Sequence, residues 1–330
     1  MKAIVYHNYG SPAVLRCEEV EKPAAGVNQV LIRVHAASVN ALDSHLRSAD
    51  IMLVRLTGGG LLKPKVRSLG ADLAGRVEAV GSNVRQFQPG DDVFGTGVGA
   101  FAEYACAREG ALVLKPATMT FETAAAVPIA ALTALQGLRD NGQIQPGQKV
   151  LIQGASGGVG TFAVQIAKSF GAEVTAVCST RNLDMARSIG ADHVIDYTQE
   201  DFTCNGQRYD LILAVNGYRP ILAYRRALSP MGRFVLVGAS SAHLLQALVQ
   251  AMLLGPLISR TGTQKMGFMG QAKVDQKDLL FVRELIETGT VEPVVDRCYP
   301  LSETAEAFRY LEEVHARGKV VITVEHDHKS

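Results

Sequence analysis

Three observations on this 330-residue chain predict an α/β protein with two parts, a partly closed β-barrel and a doubly wound parallel sheet. Residues 1 to about 119 hold short strands punctuated by Gly and Pro. From about Phe121 the pattern changes to alternating helix and strand, the signature of βαβ units. Between Lys149 and Gly160 an apolar strand runs straight into a glycine-rich turn and then into a helical pattern.

In the first part, Gln29–Ala36 (QVLIRVHA) reads as a strand on β propensity. Gly75–Gly81 is another, closed by the turn residues Ser82 and Asn83, and Gln88–Gly95 is a turn feeding a strand. Asp50–Lys65, with Thr57-Gly58-Gly59-Gly60 and basic flanks, reads as a flexible loop.

In the second part, Phe121–Leu138 is expected as helix in spite of Pro128, and Lys149–Gln153 as the first strand of the parallel sheet. The next helix carries Val159, Phe162, Ala163, Ile166, Ala167 and Phe170 on one face and stops at Gly171. Glu173–Cys178 is the second strand, Asn182–Ile189 a helix, and Asp192–Tyr197 the third strand. Tyr209–Val215 and Arg233–Gly238 are the fourth and fifth. The apolar run Leu244–Ile258 is too short for a membrane span and is interrupted by Gly255-Pro256. It is expected as a buried helix of this domain, with a pocket wall and a peripheral membrane contact as the alternatives. Gly262–Gly270 would end the sheet as an edge strand available for pairing across a two-fold axis. Helices at Asp278–Thr288 and Thr304–Val314 and a strand at Lys319–Val324 complete the chain.

Composition narrows the function classes. Thirty-three basic and 32 acidic side chains nearly cancel, so no broad basic surface points to nucleic acid. The five cysteines are scattered, without Cys-x-x-Cys spacing, which argues against a zinc knuckle or a disulfide framework. With an N-terminus that reads as a strand rather than a targeting segment, this predicts a cytoplasmic protein.

The turn Gly154-Ala155-Ser156-Gly157-Gly158-Val159-Gly160 predicts a dinucleotide site. Small residues let the backbone approach a pyrophosphate, and the helix N-terminus presents free N–H groups to it. Ala155 stands where the strict glycine pattern has its first glycine. The second strand ends Cys178-Ser179-Thr180-Arg181 with no carboxylate at its tip. An acid there would hold the ribose hydroxyls of NAD. Arg181, with the Ser179 and Thr180 hydroxyls, suits a 2′-phosphate instead, so NADPH is the expected cofactor. The alternative for Arg181 is a solvated residue opening the next helix.

These segments, read together, resemble the medium-chain dehydrogenase/reductase superfamily in its zinc-free quinone oxidoreductase branch. The matching stretches are Ala37–Asp43, Gly70–Gly75, Val80-Gly81, Gly90–Gly95, Ala124–Pro128, Leu132–Ala134, Gly154–Gly160, Leu183–Tyr197 and Gly318–Val321, in the family's order. The resemblance implies a GroES-like partly open barrel as catalytic domain (1–119 with 271–330) and an inserted Rossmann NADP-binding domain (120–270). It implies NADPH-dependent reduction of quinones or α,β-unsaturated carbonyls in a homodimer. It also implies Ser156, Gly157, Gly158 and Val159 on the pyrophosphate, and Ser179, Arg181 and Tyr197 around the 2′-phosphate. Thr133, Asn216, Gly238 and Ala239 would line the nicotinamide, Lys319 would reach the cofactor from the last strand, and Asn40 would lie at nicotinamide and substrate. Where the superfamily's zinc enzymes carry a cysteine ligand this chain has Ser38, and for their Gly-His-Glu it has Gly70-Ala71-Asp72, so no metal is expected.

Without zinc, charge developing on a carbonyl oxygen must be met by hydrogen bonds. Asn40 is the candidate donor, its alternative being an asparagine that caps a turn. Asp43 is expected to cap the following helix, and water to supply the proton. A nonenzymatic NADPH-binding sensor or scaffold is the competing reading.

Overall fold

The computed structural model describes residues 1–49, 60, 63–65, 67–239, 241–314 and 316–326. In chain order its strands are β1 (Lys2–Val5), β2 (Arg16–Glu19), β3 (Gln29–Ser38), β4 (Asp72–Val80), β5 (Asp92–Thr96), β6 (Tyr104–Arg108) and β7 (Leu112–Leu114). There follow β8 (Lys149–Gln153), β9 (Glu173–Cys178), β10 (His193–Asp196), β11 (Tyr209–Ala214), β12 (Leu228–Leu236), β13 (Lys265–Phe268), β14 (Val295–Pro300) and β15 (Lys319–Thr323). They fall into two compact units: Met1–Ala130 with Val274–Glu287 and Pro293–Ser330, and Ala131–Lys273 with Thr288–Glu292.

The first unit is β-rich. Its main sheet runs β14-β15-β3-β4-β5-β7, with β6 also on β3, and β1 and β2 form a separate antiparallel pair. The long β3 is apolar and buried along most of its length because strands lie on both edges and the core lies against it. Ile32, Val34, Leu73, Phe101 and Phe308 meet in that core. The last strand β15 pairs antiparallel with the end of β3, Val321 opposite Ser38, so the C-terminal segment completes this unit rather than forming its own. The observed division at Ala130/Ala131 lies beyond the expected 119/120 because the helix Phe121–Ala125 packs on β3 and β4 of the first unit.

The second unit is a six-stranded parallel sheet ordered β10-β9-β8-β11-β12-β13. The order reverses between β8 and β11, and ligands of such sheets bind at the strand ends beside that reversal. The helix Gly158–Ser169 buries Phe162, Ala163, Ile166 and Ala167 of the expected face but also Thr161, Val164 and Gln165 on its other sides, while Val159 and Phe170 are only half-buried.

Two helices depart from expectation. Phe121–Leu138 is not one helix: Phe121–Ala125 stops, and a second helix starts at Pro128 and runs to Gln136. Proline has no N–H and disfavours a helical residue before it, so it opens a helix rather than continuing one. Conversely, Leu244–Thr261 is one continuous helix, not broken at Gly255-Pro256. A π-turn over Gln250–Leu254 absorbs the proline at the start of the segment Gly255–Thr261. Nor is this helix buried. Ala247, Ala251, Gly255 and Ile258 face the protein, while Leu245, Met252, Leu253 and Leu257 are mostly exposed. The expected loop Asp50–Lys65 falls almost entirely outside the described residues.

Candidate functional site

In the second unit the turn after β8 is built as the sequence suggests. Gly154 has φ +81°, and a Cβ there would come within 2.8 Å of the Asn216 amide nitrogen. Glycine is required both for the left-handed backbone and for the close approach of the loop after β11. Gly160 lies against the Gly154 carbonyl, 2.1 Å from where its Cβ would be, which packs the helix onto the turn. Gly157 is the N-cap, and the nearest atom to its missing Cβ is 3.7 Å away. The turn therefore leaves room in front of Ser156, Gly157, Gly158 and Val159, with the helix N-terminus behind it.

Asn182 was not foreseen as a site residue. It is buried, and its Nδ2 donates to Ser156 Oγ (3.0 Å) and Ser179 Oγ (3.2 Å). Both hydroxyls accept from it, so both retain their own proton for an outside acceptor. Its Oδ1 is buried without a partner. One amide thus joins the glycine turn to the tip of β9. The only sequence signal was an asparagine where a helix was expected to begin.

The tips of β9 and β10 lie side by side. Asp196 is in register with Cys178, and the Tyr197 N–H donates to the Cys178 carbonyl at 3.1 Å. Ser179, exposed Arg181 and half-exposed Tyr197 are thereby gathered at one edge. The Thr180 hydroxyl, expected to face a phosphate, instead donates to Asp196 Oδ2. Hydrogen bonds from the Thr180 and Thr198 hydroxyls hold the Asp196 carboxyl below the usual range. Asp196, next in the chain to Tyr197, is brought against Thr180 by the pairing of β10 with β9. Asn216, Gly238 and Ala239 follow the neighbouring strands β11 and β12, and a Cβ on Gly238 would lie 3.0 Å from the Val215 carbonyl. Thr133 is half-buried on the helix Pro128–Gln136.

In the first unit a buried polar cluster joins four distant segments. Asp72, at the start of β4, is fully buried. Its Oδ2 accepts from Ser38 Oγ (2.9 Å), Asn40 Nδ2 (2.9 Å) and Lys319 Nζ (3.3 Å), and its Oδ1 from the Ile129 N–H (2.9 Å). Lys319 also donates to Asn40 Oδ1 (2.6 Å) and to the Val39 carbonyl (3.1 Å). Its three hydrogens are thus committed inside this unit. The Asn40 amide is oriented by a cation on its oxygen and an anion on its nitrogen. Its second Nδ2 hydrogen has only a 3.5 Å contact to the Ser38 carbonyl, a weak bond by distance.

Asn40 is the N-cap of the helix Ala41–Ser48, the alternative given for it above, and Asp43, in the first turn of that helix, completes a capping box by accepting from the Asn40 N–H (2.9 Å) and also accepts from the Gly70 N–H (3.1 Å). Desolvation raises its pKa to about 6 despite those donors.

These positions do not suit zinc. Ser38 and Ala71 offer neither thiolate nor imidazole, and each Asp72 oxygen already accepts hydrogen bonds, one of them from an ammonium that would repel a cation. No group of three His, Cys, Asp or Glu side chains is assembled as a metal site among the described residues.

Comparison with known proteins agrees with this architecture. Residues 26–117 match the alcohol dehydrogenase GroES-like domain, and residues 189–322 match a family described as zinc-binding dehydrogenase. The chain is 31% identical to the chloroplastic quinone-oxidoreductase QR1 of Triphysaria versicolor, over 98% of each. It is 33% identical to the chloroplastic NADPH-dependent alkenal/one oxidoreductase of Arabidopsis thaliana, over 98% of this chain and 79% of that one. The solved quinone oxidoreductase of Coxiella burnetii superposes with a TM-score of 0.85 at 30% identity, covering 98% and 99% of the two chains. With a GroES-like unit contributed by both chain ends, a Rossmann-type parallel sheet behind a glycine turn, and these full-length likenesses, the chain belongs to the medium-chain dehydrogenase/reductase superfamily of oxidoreductases, in its quinone oxidoreductase-like branch.

Proposed function

We propose that this chain is a zinc-independent, NADPH-dependent reductase that transfers hydride to quinones or α,β-unsaturated carbonyls. The observation that carries the reading is the paired Ser156 and Ser179 hydroxyls held by Asn182 behind an open glycine turn. That arrangement presents two O–H donors and a helix N-terminus to two phosphate positions of one ligand.

In this reading Ser156, Gly157, Gly158 and Val159 hold the pyrophosphate. Ser179, Arg181 and Tyr197 surround the 2′-phosphate, with the Thr180 hydroxyl keeping Asp196 occupied. Thr133, Asn216, Gly238 and Ala239 line the nicotinamide side. Reduced nicotinamide, when bound, supplies the hydride. Negative charge then grows on the substrate oxygen, and the weakly held second Nδ2 hydrogen of Asn40 is the one able to turn toward it. Lys319, which the resemblance set against the cofactor, here acts through the Asn40 carbonyl, and Asp72 fixes the amide's orientation. Solvent supplies the proton, since an enolate or hydroquinone anion needs no strong acid.

Metal-free chemistry is supported by the donor set around Ser38, Ala71 and Asp72. The named activities of the Triphysaria and Arabidopsis relatives support the acceptor classes. The five cysteines, all free thiols, favour the reducing cytoplasm as the location, in contrast to the two chloroplastic relatives. The sheet edge at β13 would pair two copies in a homodimer.

The test is oxidation of NADPH and NADH, with a chelator present, against a panel of quinones and enones. Turnover that survives chelation and prefers NADPH is expected. Loss of activity on chelation would remove the zinc-free assignment. Tight NADPH binding with no turnover on any acceptor would favour the sensor or scaffold reading instead.

A further inference from the structure

The Asp43 carboxyl does more than a capping box requires. Its Oδ2 accepts from the Asn40 N–H at 2.9 Å, which closes the box. Its Oδ1 accepts from the Gly70 N–H at 3.1 Å, on a separate segment of the same unit. Gly70 is held at φ +95°, and a Cβ there would come within 2.7 Å of the Phe101 nitrogen, which fixes the backbone path into β4. Asp72 follows on that path, at the start of β4, and accepts from Asn40 Nδ2 at 2.9 Å. One carboxyl group therefore holds the backbone on both sides of the hydrogen bond that orients the Asn40 amide.

Asp43 is buried, and three ionisable groups face it from other elements: Tyr6 after β1, Asp72 on β4 and Lys319 on β15. Lys319 is the cation among them, and it already lies against Asp72 at 3.3 Å. Ionised Asp43 is thus a second anion beside one ammonium. Burial, with Asp72 adding to it, raises the Asp43 pKa to about 6. As a carboxylate, the group accepts from both backbone N–H donors. Once protonated, one oxygen becomes a hydroxyl, a weaker acceptor that brings its own hydrogen to the site, and one of the two contacts loosens.

We propose that Asp43 is a positioning residue for the reduction, an ionised clamp between Asn40 and Gly70 that keeps the Asn40 amide aimed at the substrate oxygen and releases it on protonation. The proposal rests on the reading of Asn40 as the donor that meets substrate charge. An ionised Asp43 also sets a like charge near that oxygen, but Lys319, 2.6 Å from Asn40 Oδ1, offsets it. Displacing the amide by about an ångström would cost on the order of a hundredfold in rate, so positioning outweighs the repulsion.

The test is the pH dependence of the single-turnover rate of NADPH oxidation by a quinone, for the wild-type chain, Asp43→Asn and Asn40→Ala. The wild-type rate should fall on the acid side with a midpoint near pH 6. Asp43→Asn keeps one acceptor oxygen. It should be about tenfold slower than wild type at about pH 8, bind NADPH as wild type does, and show no acid limb, so that the two rates converge at about pH 5. An Asp43 that only stabilises its helix would lower the unfolding midpoint of Asp43→Asn and leave the rate of the folded variant unchanged. His45 is present in both proteins, so a limb of its own would survive in Asp43→Asn. In the cofactor-free protein, the Gly70 backbone and Asn40 side-chain amide resonances should move together with the same midpoint, and stay still in Asp43→Asn. The proposal is overturned if the wild-type rate is flat or rises as the solution is acidified, if the limb persists in Asp43→Asn, or if the two amide resonances titrate without Asp43. A slow Asn40→Ala beside an unchanged Asp43→Asn would overturn the clamp alone. An Asn40→Ala as fast as wild type would remove the reading of Asn40 and the clamp with it.

Discussion

Lys319 and Asn40 lie 279 residues apart in the chain and meet at 2.6 Å between ammonium and amide oxygen, in a buried site shared with Asp72. The strand that closes the first unit thereby sets the orientation of the amide proposed to receive substrate charge. Because the Asp72 carboxylate is fully buried, its partner is worth more as a neutraliser than as a single hydrogen bond.

Lys319→Met should therefore destabilise the protein by about 3–5 kcal/mol, the cost of leaving a buried carboxylate uncompensated. Adding Asp72→Asn should recover part of that loss. Urea unfolding of the two single variants and the double variant measures the coupling. Additive effects would show that the pair does not interact.

Asn182→Ala removes the donor shared by Ser156 and Ser179. The two hydroxyls would then be free to bond locally, and NADPH affinity should fall about tenfold, the loss of roughly one hydrogen bond to a charged group. Titration calorimetry reads this directly. An unchanged dissociation constant would detach Asn182 from the cofactor site.

Arg181→Glu should weaken NADPH about tenfold to a hundredfold while changing NADH little, because only the former carries the 2′-phosphate. Asp196→Asn should act in the opposite sense, easing a like charge at the same edge. If Arg181→Glu leaves the preference between the two cofactors intact, the 2′-phosphate is not held there.

Asp43 gives a pH signature. Its carboxyl is pushed up from 3.8 to about 6, chiefly by burial. A raised folded-state value means that folding favours the protonated form. Its contribution is fully present below about pH 4 and is lost as pH rises through about 6. Measured against Asp43→Asn, wild-type unfolding free energy should decline across that window by an amount on the order of 3 kcal/mol, at about 1.4 kcal/mol per pKa unit. A difference that stays flat with pH would mean that Asp43 is ionised throughout.

What was legible in the sequence was local. The strand–turn–helix over Lys149–Ser169 could be read because each of its steps is decided within a few residues. The apolar run makes the strand, the small residues the turn, and the 3.6-residue period the inward face carrying Phe162 and Ile166. The cap at Asp43 was legible for the same reason, as a carboxylate three residues beyond Asn40. Pro128 was misread only in degree, since proline's missing N–H ends one helix and starts the next. Partners brought together only by the tertiary fold were not legible: Asp196 beside Thr180, Asp72 beside Lys319, Asn182 between Ser156 and Ser179. Periodicity fixes which face of an element is apolar, but not what that face meets. For Leu244–Thr261, apolar on nearly every side, composition alone could not choose the buried face. Packing chose it, because only the Ala247, Ala251 and Gly255 stripe is slim enough to rest on β13, and the leucines were left facing outward.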